Sequence, residues 1–257
     1  MPDRIRLDGR VAVVTGAAGV IGAATLRKLA ERGARIVAID HRAEDLDAVV
    51  RDLPASAEAL AVAADVTVED NVVRYVGATI DRFGRIDVFF NNAGIEGEIK
   101  PITDTSLEAF RRVIDVNVVG VFLGLKHVLA VMLKQNAGSI INTASIAGLL
   151  GSPHTSVYSA SKHAVIGLTK SVATECAGTA VRVNCVCPGL IDSRMLGAIF
   201  EGRYGSTATP PRAIERVPAR RLGQADEVAS IVAFLASDDA SYVSGSAYTV
   251  DGGRTAG

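Results

Sequence analysis

Tyr158 and Lys162 stand four residues apart in the segment YSASK, and Ser145 precedes the tyrosine by thirteen residues. Residues at i and i+4 share one face of a helix. A phenol with an ammonium one turn away is a ready proton donor and acceptor. A nearby positive charge favours the phenolate and is expected to lower the tyrosine pKa from its ordinary value of about 10. A general acid or base works best with a pKa near the operating pH. Lowering it by ~3 units requires ~4 kcal/mol of differential interaction, at about 1.36 kcal/mol per unit.

The elements that would carry these groups follow from the hydrophobic pattern. Short β-branched runs at 11–14, 36–39, 59–63, 88–91, 139–142, 181–186 and 247–250 read as strands. Helical patterns lie between them, at 21–32, 43–53, 68–83, 107–135, 156–177 and 225–236. The third helix is expected to start near Thr67, a good N-cap with Asp70 three residues on. The fourth pattern exceeds the usual globular length and is expected to break. A polar turn, Gly223–Gln224, precedes the sixth. Regular alternation predicts a Rossmann-type, doubly wound parallel sheet of about seven strands with helices on both faces. Runs such as VAVV and RIVAID are apolar throughout, as strands covered on both faces should be. Residues 1–257 read as one dinucleotide-binding catalytic domain. An irregular insertion at 193–218, rich in glycine and proline, sits where a lid over a substrate would be useful.

Composition excludes several classes. The net charge is −1, from 27 basic and 28 acidic residues, so no basic excess points to nucleic acid or an anionic membrane. The most apolar stretch, 113–133, is interrupted by Asp115, Asn117, Lys126 and His127, and is not expected to span a bilayer. The first residues, MPDRIRLDGR, lack the apolar core of a signal peptide, so the expected location is the cytoplasm. Cys176, Cys185 and Cys187 form no disulfide framework. Cys185 and Cys187 alternate along an apolar run and should face one side of a strand as buried thiols. The four histidines, at 41, 127, 154 and 163, have no ligand spacing with them, and no metal site is expected.

The first strand runs into a glycine-rich turn, TGAAGVIG, and then a helix, the layout that holds a pyrophosphate on a helix N-terminus. The second strand ends in Asp40, eighteen residues after Gly22. An acidic residue there would accept from the adenosine ribose hydroxyls and repel a 2′-phosphate. The turn holds no basic residue for that phosphate, although Arg42 is near, so NAD is expected over NADP. Asp65 is placed to contact the adenine edge. Asn91, Ala93 and Gly94, in NNAG, follow the fourth strand at the carboxyl edge of the sheet, where such folds bind ligands.

From Leu7 to Gly253 the chain resembles the short-chain dehydrogenase/reductase family. The glycine turn, Asp65, NNAG, Asn117 in DVNVVG, Ser145, YSASK, Pro188–Gly189 and the terminal VDGG occur in the family's order. The resemblance implies a catalytic tetrad of Asn117, Ser145, Tyr158 and Lys162. Tyr158 would exchange a proton with the substrate oxygen, and Ser145 would polarise that oxygen. Lys162 would hold the nicotinamide ribose and, with the cationic ring, lower the Tyr158 pKa. Asn117 would hold a water that links Lys162 to solvent. It implies a pro-S hydride transfer and a cofactor site of Gly16, Gly19, Val20, Ile21, Gly22, Asp40, His41, Asp65, Val66, Asn92, Ala93, Gly94, Tyr158, Lys162, Pro188, Gly189, Ile191 and Ser193.

Two departures stand out. The family's turn reads TGxxxGxG, whereas here its second glycine is Val20 and a glycine falls one position earlier, at Gly19. Gly19 is expected to take over the close approach. Ser193 replaces the usual threonine after Pro-Gly and could still bond the nicotinamide carboxamide. Around the substrate, Ile95, Glu96, Ser145, Leu149, Leu150, His154, Met195, Leu196 and Phe200 suggest mostly apolar walls. NNAGIEG and GLLGSPH look similar to family members that oxidise cyclic alcohols and diols, with Glu96 or His154 holding a second hydroxyl. The expected function is hydride transfer between NAD(H) and a secondary alcohol or ketone. The alternatives are a non-catalytic NAD(H)-binding sensor and an NADPH-dependent ketoreductase. Sensors usually lack the tyrosine or lysine, and Asp40 speaks against NADPH. Family members commonly form homotetramers through the two long central helices and the C-terminal segment.

Overall fold

Parallel strands lie side by side in the order β3-β2-β1-β4-β5-β6-β7 in a computed structural model that describes residues 5–257. The strands are β1 (Val11–Thr15), β2 (Arg35–Asp40), β3 (Ala59–Ala63), β4 (Val88–Asn91), β5 (Gly138–Thr143), β6 (Val181–Pro188) and β7 (Ala247–Val250). Each falls on an expected run, with ends moved by no more than two residues. The helices are α1 (Val20–Glu31), α2 (Ala43–Arg51), α3 (Glu69–Phe83), α4 (Leu107–Ile114), α5 (Gly120–Gln135), α6 (Ser156–Glu175), α7 (Arg194–Tyr204), α8 (Pro211–Glu215) and α9 (Ala225–Ala236).

Strand residues alternate between two cores. Val13, Phe89, Ile140 and Val183 pack with Val72, Val128 and Val165 of α3, α5 and α6. Val14, Phe90, Ile141 and Val186 pack with Leu26, Leu46 and Val232 of α1, α2 and α9. Two covered faces explain why the strands read as unbroken apolar runs. Cys185 and Cys187 are both fully buried on the first face, as a period of two requires. The strand order reverses between β1 and β4, which leaves a crevice at the carboxyl ends of those strands.

Four expectations about the elements need correction. Thr67 does not cap α3. Its hydroxyl donates to Asp65 (2.7 Å), and the cap position is Val68, which has no side-chain bond to the helix. The 107–135 pattern does not break. It widens into a π-helical turn at Asp115–Val119 and continues, so α4 and α5 form one rod around Asn117. By length and composition that 29-residue rod could cross a bilayer, contrary to the reading of 113–133. Here Val121, Leu125, Val128 and Met132 are buried in the first core, the position of a core helix. The 193–218 insertion is not irregular: Ser193 accepts from the Leu196 amide (3.2 Å) to cap α7, Gly205 ends it, and Pro210–Pro211 opens α8. At the turn before α9, Gln224 and Glu227 form a reciprocal capping box.

Candidate active site

A cavity of about 960 Å³ occupies the crevice between β1 and β4. Its floor is the glycine turn. Gly16 has φ +63°, and a Cβ there would lie 2.9 Å from the Ala93 Cα, so no other residue type fits this contact. A Cβ on Gly22 would lie 2.1 Å from the Gly16 carbonyl oxygen, so Gly22 seats α1 on the turn. It does this from behind, because Gly22 is absent from the cavity wall, whereas Gly16, Gly19, Val20 and Ile21 line it. Gly19 is the extended N-cap of α1. Val20 is the first helical residue, a position with ordinary backbone geometry that makes no demand for glycine. The consequence of valine is therefore its isopropyl group, 47% exposed at the cavity mouth where helix N–H groups are unpaired.

Asp40, at the end of β2, is buried. One carboxylate oxygen accepts from the Ala18 amide (3.0 Å), and the other lies 3.0 Å from His41 Nδ1. It braces the turn and lines the cavity. Asp65 also lines the cavity, and its Oδ1 accepts from the Thr67 amide (2.9 Å). Val66, His41, Asn92, Ala93, Gly94, Pro188, Gly189, Ile191 and Ser193 complete the wall expected for a dinucleotide. Ser193 also donates its hydroxyl to the Ile191 carbonyl (3.0 Å), so this hydroxyl proton is already used. The Asn92 amide side chain donates to the Thr15 carbonyl (3.1 Å) and accepts from the Thr143 hydroxyl (3.1 Å). Asn91 points the other way, into the core, bonded to the Val121 carbonyl and to Asn142.

The Thr143 carbonyl accepts from Lys162 Nζ (2.8 Å). Lys162 is buried, and that burial pulls its pKa down to about 8. Gly94 makes room for it: a Cβ there would lie 3.3 Å from Nζ and 3.2 Å from Asn117 Oδ1. Nζ lies 5.6 Å from the centroid of the Tyr158 ring, close enough for a cation–π contact. The Tyr158 pKa does not fall as expected. Burial pushes it up to about 12, the Ser145 hydroxyl opposes this, and the Glu96 carboxylate adds to the rise. Within the protein's own framework, desolvation outweighs the Ser145 hydrogen bond.

Ser145 joins the site from the end of β5, and its Oγ also accepts from the Ala147 amide (3.1 Å) to cap a short 3₁₀ turn. Asn117 is fully buried. Its Oδ1 accepts from the Ile95 amide (2.8 Å), and its Nδ2 donates to the Ile95 carbonyl (2.9 Å) and to Ser161 Oγ (3.0 Å). That side chain pins the loop after β4 to α6, with both Nδ2 protons in use.

The substrate end is less as expected. Ser145, Met195 and Phe200 line the cavity, together with Ile95 and Leu196, but Glu96, Leu150 and His154 do not. Leu150 is exposed. His154 sits in a left-handed conformation (φ 63°), and its carbonyl accepts from the Lys100 amide (3.0 Å). Glu96 reaches the site only through its charge on Tyr158. Arg203, which no motif singled out, lines this end. It lies in α7, and its Nη2 donates to Ser152 Oγ (2.6 Å), the Pro153 carbonyl (2.9 Å) and Thr155 Oγ1 (3.2 Å).

Residues 16–255 match the family described as enoyl-(acyl carrier protein) reductase. The chain is 41% identical to levodione reductase of Leifsonia aquatica over 258 residues, covering 98% of this chain and 96% of that one. The chain belongs to the short-chain dehydrogenase/reductases. A crystal structure of levodione reductase superposes on this dehydrogenase/reductase with a TM-score of 0.93, covering 98% of this chain and 99% of that one. Cyclohexanol dehydrogenase of an Acinetobacter species is 39% identical over 251 residues, covering 97% of this chain and 96% of that one. NAD⁺-bound xylitol dehydrogenase has a TM-score of 0.91 at 38% identity, covering 96% of this chain and 99% of that one. This dehydrogenase/reductase is an oxidoreductase that works with a nicotinamide dinucleotide. Solved relatives carry NAD⁺ or NADP, so membership does not by itself choose between the two.

Proposed function

We propose that the protein is an NAD-dependent dehydrogenase that interconverts a secondary alcohol and its ketone, with a cyclic alcohol or diol as substrate. The observation that carries this reading is one cavity lined both by Tyr158, Ser145 and Lys162 and by the Asp40 carboxylate. Asp40 has the charge to accept from ribose hydroxyls and to repel a 2′-phosphate. Gly16, Gly19 and the start of α1 would hold the pyrophosphate, and Lys162 the nicotinamide ribose. NAD supplies a hydride acceptor when bound, and NADH a donor.

The chain's own residues handle the proton. Ser145 bonds the substrate oxygen and fixes it against Tyr158. Tyr158, with its pKa near 12, holds its proton at neutral pH and gives it to a ketone oxygen. Removing a proton from an alcohol requires the phenolate, so oxidation gains rate as pH rises. Lys162 favours that phenolate only while its ammonium is charged, below its pKa of about 8, and Asn117 ties the loop after β4 to α6 beside it. Met195, Leu196 and Phe200 exclude water from the carbinol carbon. The resemblance to cyclohexanol dehydrogenase supports the cyclic class.

The working assembly is a homotetramer, supported by exposed Leu107, Phe110 and Phe122 on the α4–α5 rod. The compartment is the cytoplasm, consistent with three free, buried cysteines. The reading is tested by titrating NADH and NADPH while following nicotinamide fluorescence, then assaying cyclohexanol and cyclohexanediols with NAD. NADH binding at least tenfold tighter, reduced about 10- to 100-fold in that preference by Asp40→Ser, is the expected result. Equal binding of the two cofactors, or no turnover of any secondary alcohol, overturns it.

A further inference from the structure

We propose that Arg203 recognises an anionic group on the substrate, so that the preferred alcohol or ketone carries a carboxylate or similar oxyanion away from its reacting carbon. The proposal rests on the dehydrogenase reading of the cavity. Arg203 faces the same cavity as Met195, Leu196 and Phe200. It contacts Thr155, the N-cap residue of α6, three residues before Tyr158. The guanidinium and the Tyr158 phenol line the same cavity, so one small substrate can face both.

The partners of Arg203 are the informative part. From Nη2 it donates to the neutral oxygens of Ser152, Pro153 and Thr155, and the side chain also bonds the neutral Tyr204 phenol. Nε is buried and bonded to nothing. Among the described residues, no carboxylate forms an ion pair with it. Several surface arginines, Arg10, Arg27, Arg42 and Arg221, each pair with an aspartate or glutamate. Arg182, likewise half-buried, also donates to main-chain carbonyls, but it has the Asp238 carboxylate near enough to favour its charge. Beside Arg203 stands the Tyr204 phenol, which favours the guanidinium's charge, yet burial still holds the Arg203 pKa below its ordinary value.

A cation withdrawn from water without a counter-charge is costly. A purely structural tie between α7 and the 152–155 loop could be made by a neutral donor at no such cost. The planar guanidinium matches a carboxylate or sulfonate with two parallel hydrogen bonds, which a lysine cannot do. Arg112 and Arg194 also line the cavity but are exposed, so water satisfies their charge. The missing counter-charge at Arg203 is assigned to the substrate.

The test compares 3-hydroxycyclohexanecarboxylate with 3-methylcyclohexanol, each with NAD, in the wild type and in Arg203→Gln. Glutamine keeps a donor for Ser152 and Pro153 but removes the charge. The wild type should favour the carboxylate at least tenfold in kcat/KM, mainly through KM. Arg203→Gln should reduce that preference about 10- to 100-fold, with a far smaller loss for the neutral alcohol. Equal wild-type specificity for the two compounds overturns the proposal, as does an equal loss for both in the variant, which marks a structural latch. The wild-type comparison decides the matter if the variant fails to fold.

A second readout needs no turnover. Cyclohexanecarboxylate, which carries no hydroxyl, should raise the wild-type Tm and leave Arg203→Gln unmoved. That result supports the anion site even if no alcohol is oxidised and the dehydrogenase reading fails. No shift in the wild type overturns the site.

Discussion

The two ends of the cavity are built from different materials. The cofactor end is held by main-chain geometry, the positive φ of Gly16 and the Gly22 contact, with one side chain, Asn92, bridging Thr15 to Thr143. The substrate end is held by side chains on α7 and on the loop before α6, with Arg203 tying the two together. Tyr158 and Lys162 sit at the seam. Main-chain cradles tolerate few sequences and therefore read as motifs. Side-chain walls can change residue by residue without disturbing the sheet, and they set which alcohol fits.

This contrast can be broken most directly at the seam. Tyr158→Phe should lower kcat about 10²- to 10⁴-fold while leaving NADH fluorescence titrations within a few-fold of wild type. A collapse of NADH binding would show that the phenol supports the cofactor cradle, so that the two ends are not separable.

Lys162→Met should abolish useful turnover yet stabilise the fold at pH 7, because the wild type keeps a buried ammonium charged. A lysine pKa lowered from 10.5 to about 8 corresponds to roughly 3 kcal/mol. The sign follows from proton counts. Between about pH 8 and 10.5 the unfolded chain binds more protons at this residue, so wild-type stability climbs with pH across that window. The advantage of Lys162→Met should therefore fade from pH 8 to pH 10.5 in denaturation series. An advantage independent of pH would mean that packing, not charge, is responsible.

The smallest effect sharpens the cofactor end alone. Val20→Gly removes the isopropyl group from the mouth of the cradle and should tighten NADH binding about three- to tenfold, with no change in substrate preference. Weaker binding would instead mean that valine supports the first turn of α1.

Much of this molecule was legible as sequence. Strand positions follow from β-branched runs between turn residues, because burial on both faces leaves no room for polar alternation. The glycine turn, Asp40, NNAG, Ser145 and YSASK are each local, so a short window is enough to see them. The element details that misled have a common cause. Thr67 has the right type for a cap, but Asp65 is two residues away and takes its hydroxyl. The 107–135 pattern is too long for one helix by ordinary measure, but a π turn lets it continue while turning Asn117 to the Ile95 backbone. The 193–218 segment is rich in turn residues, yet these fall at helix ends.

The sequence alone determined the fold class, the order of elements and that Ser145, Tyr158 and Lys162 come together, because each depends on contacts within a turn or on the alternation of buried faces. Tertiary structure decided how those residues behave. It set the Tyr158 pKa upward, since burial is a property of everything packed around the phenol. It placed Glu96, Leu150 and His154 outside the cavity wall and Arg203 in it, since the loop before α6 and the α7 helix meet across some fifty residues of chain. A charge without a counter-charge becomes visible only when both sides of the cavity are present.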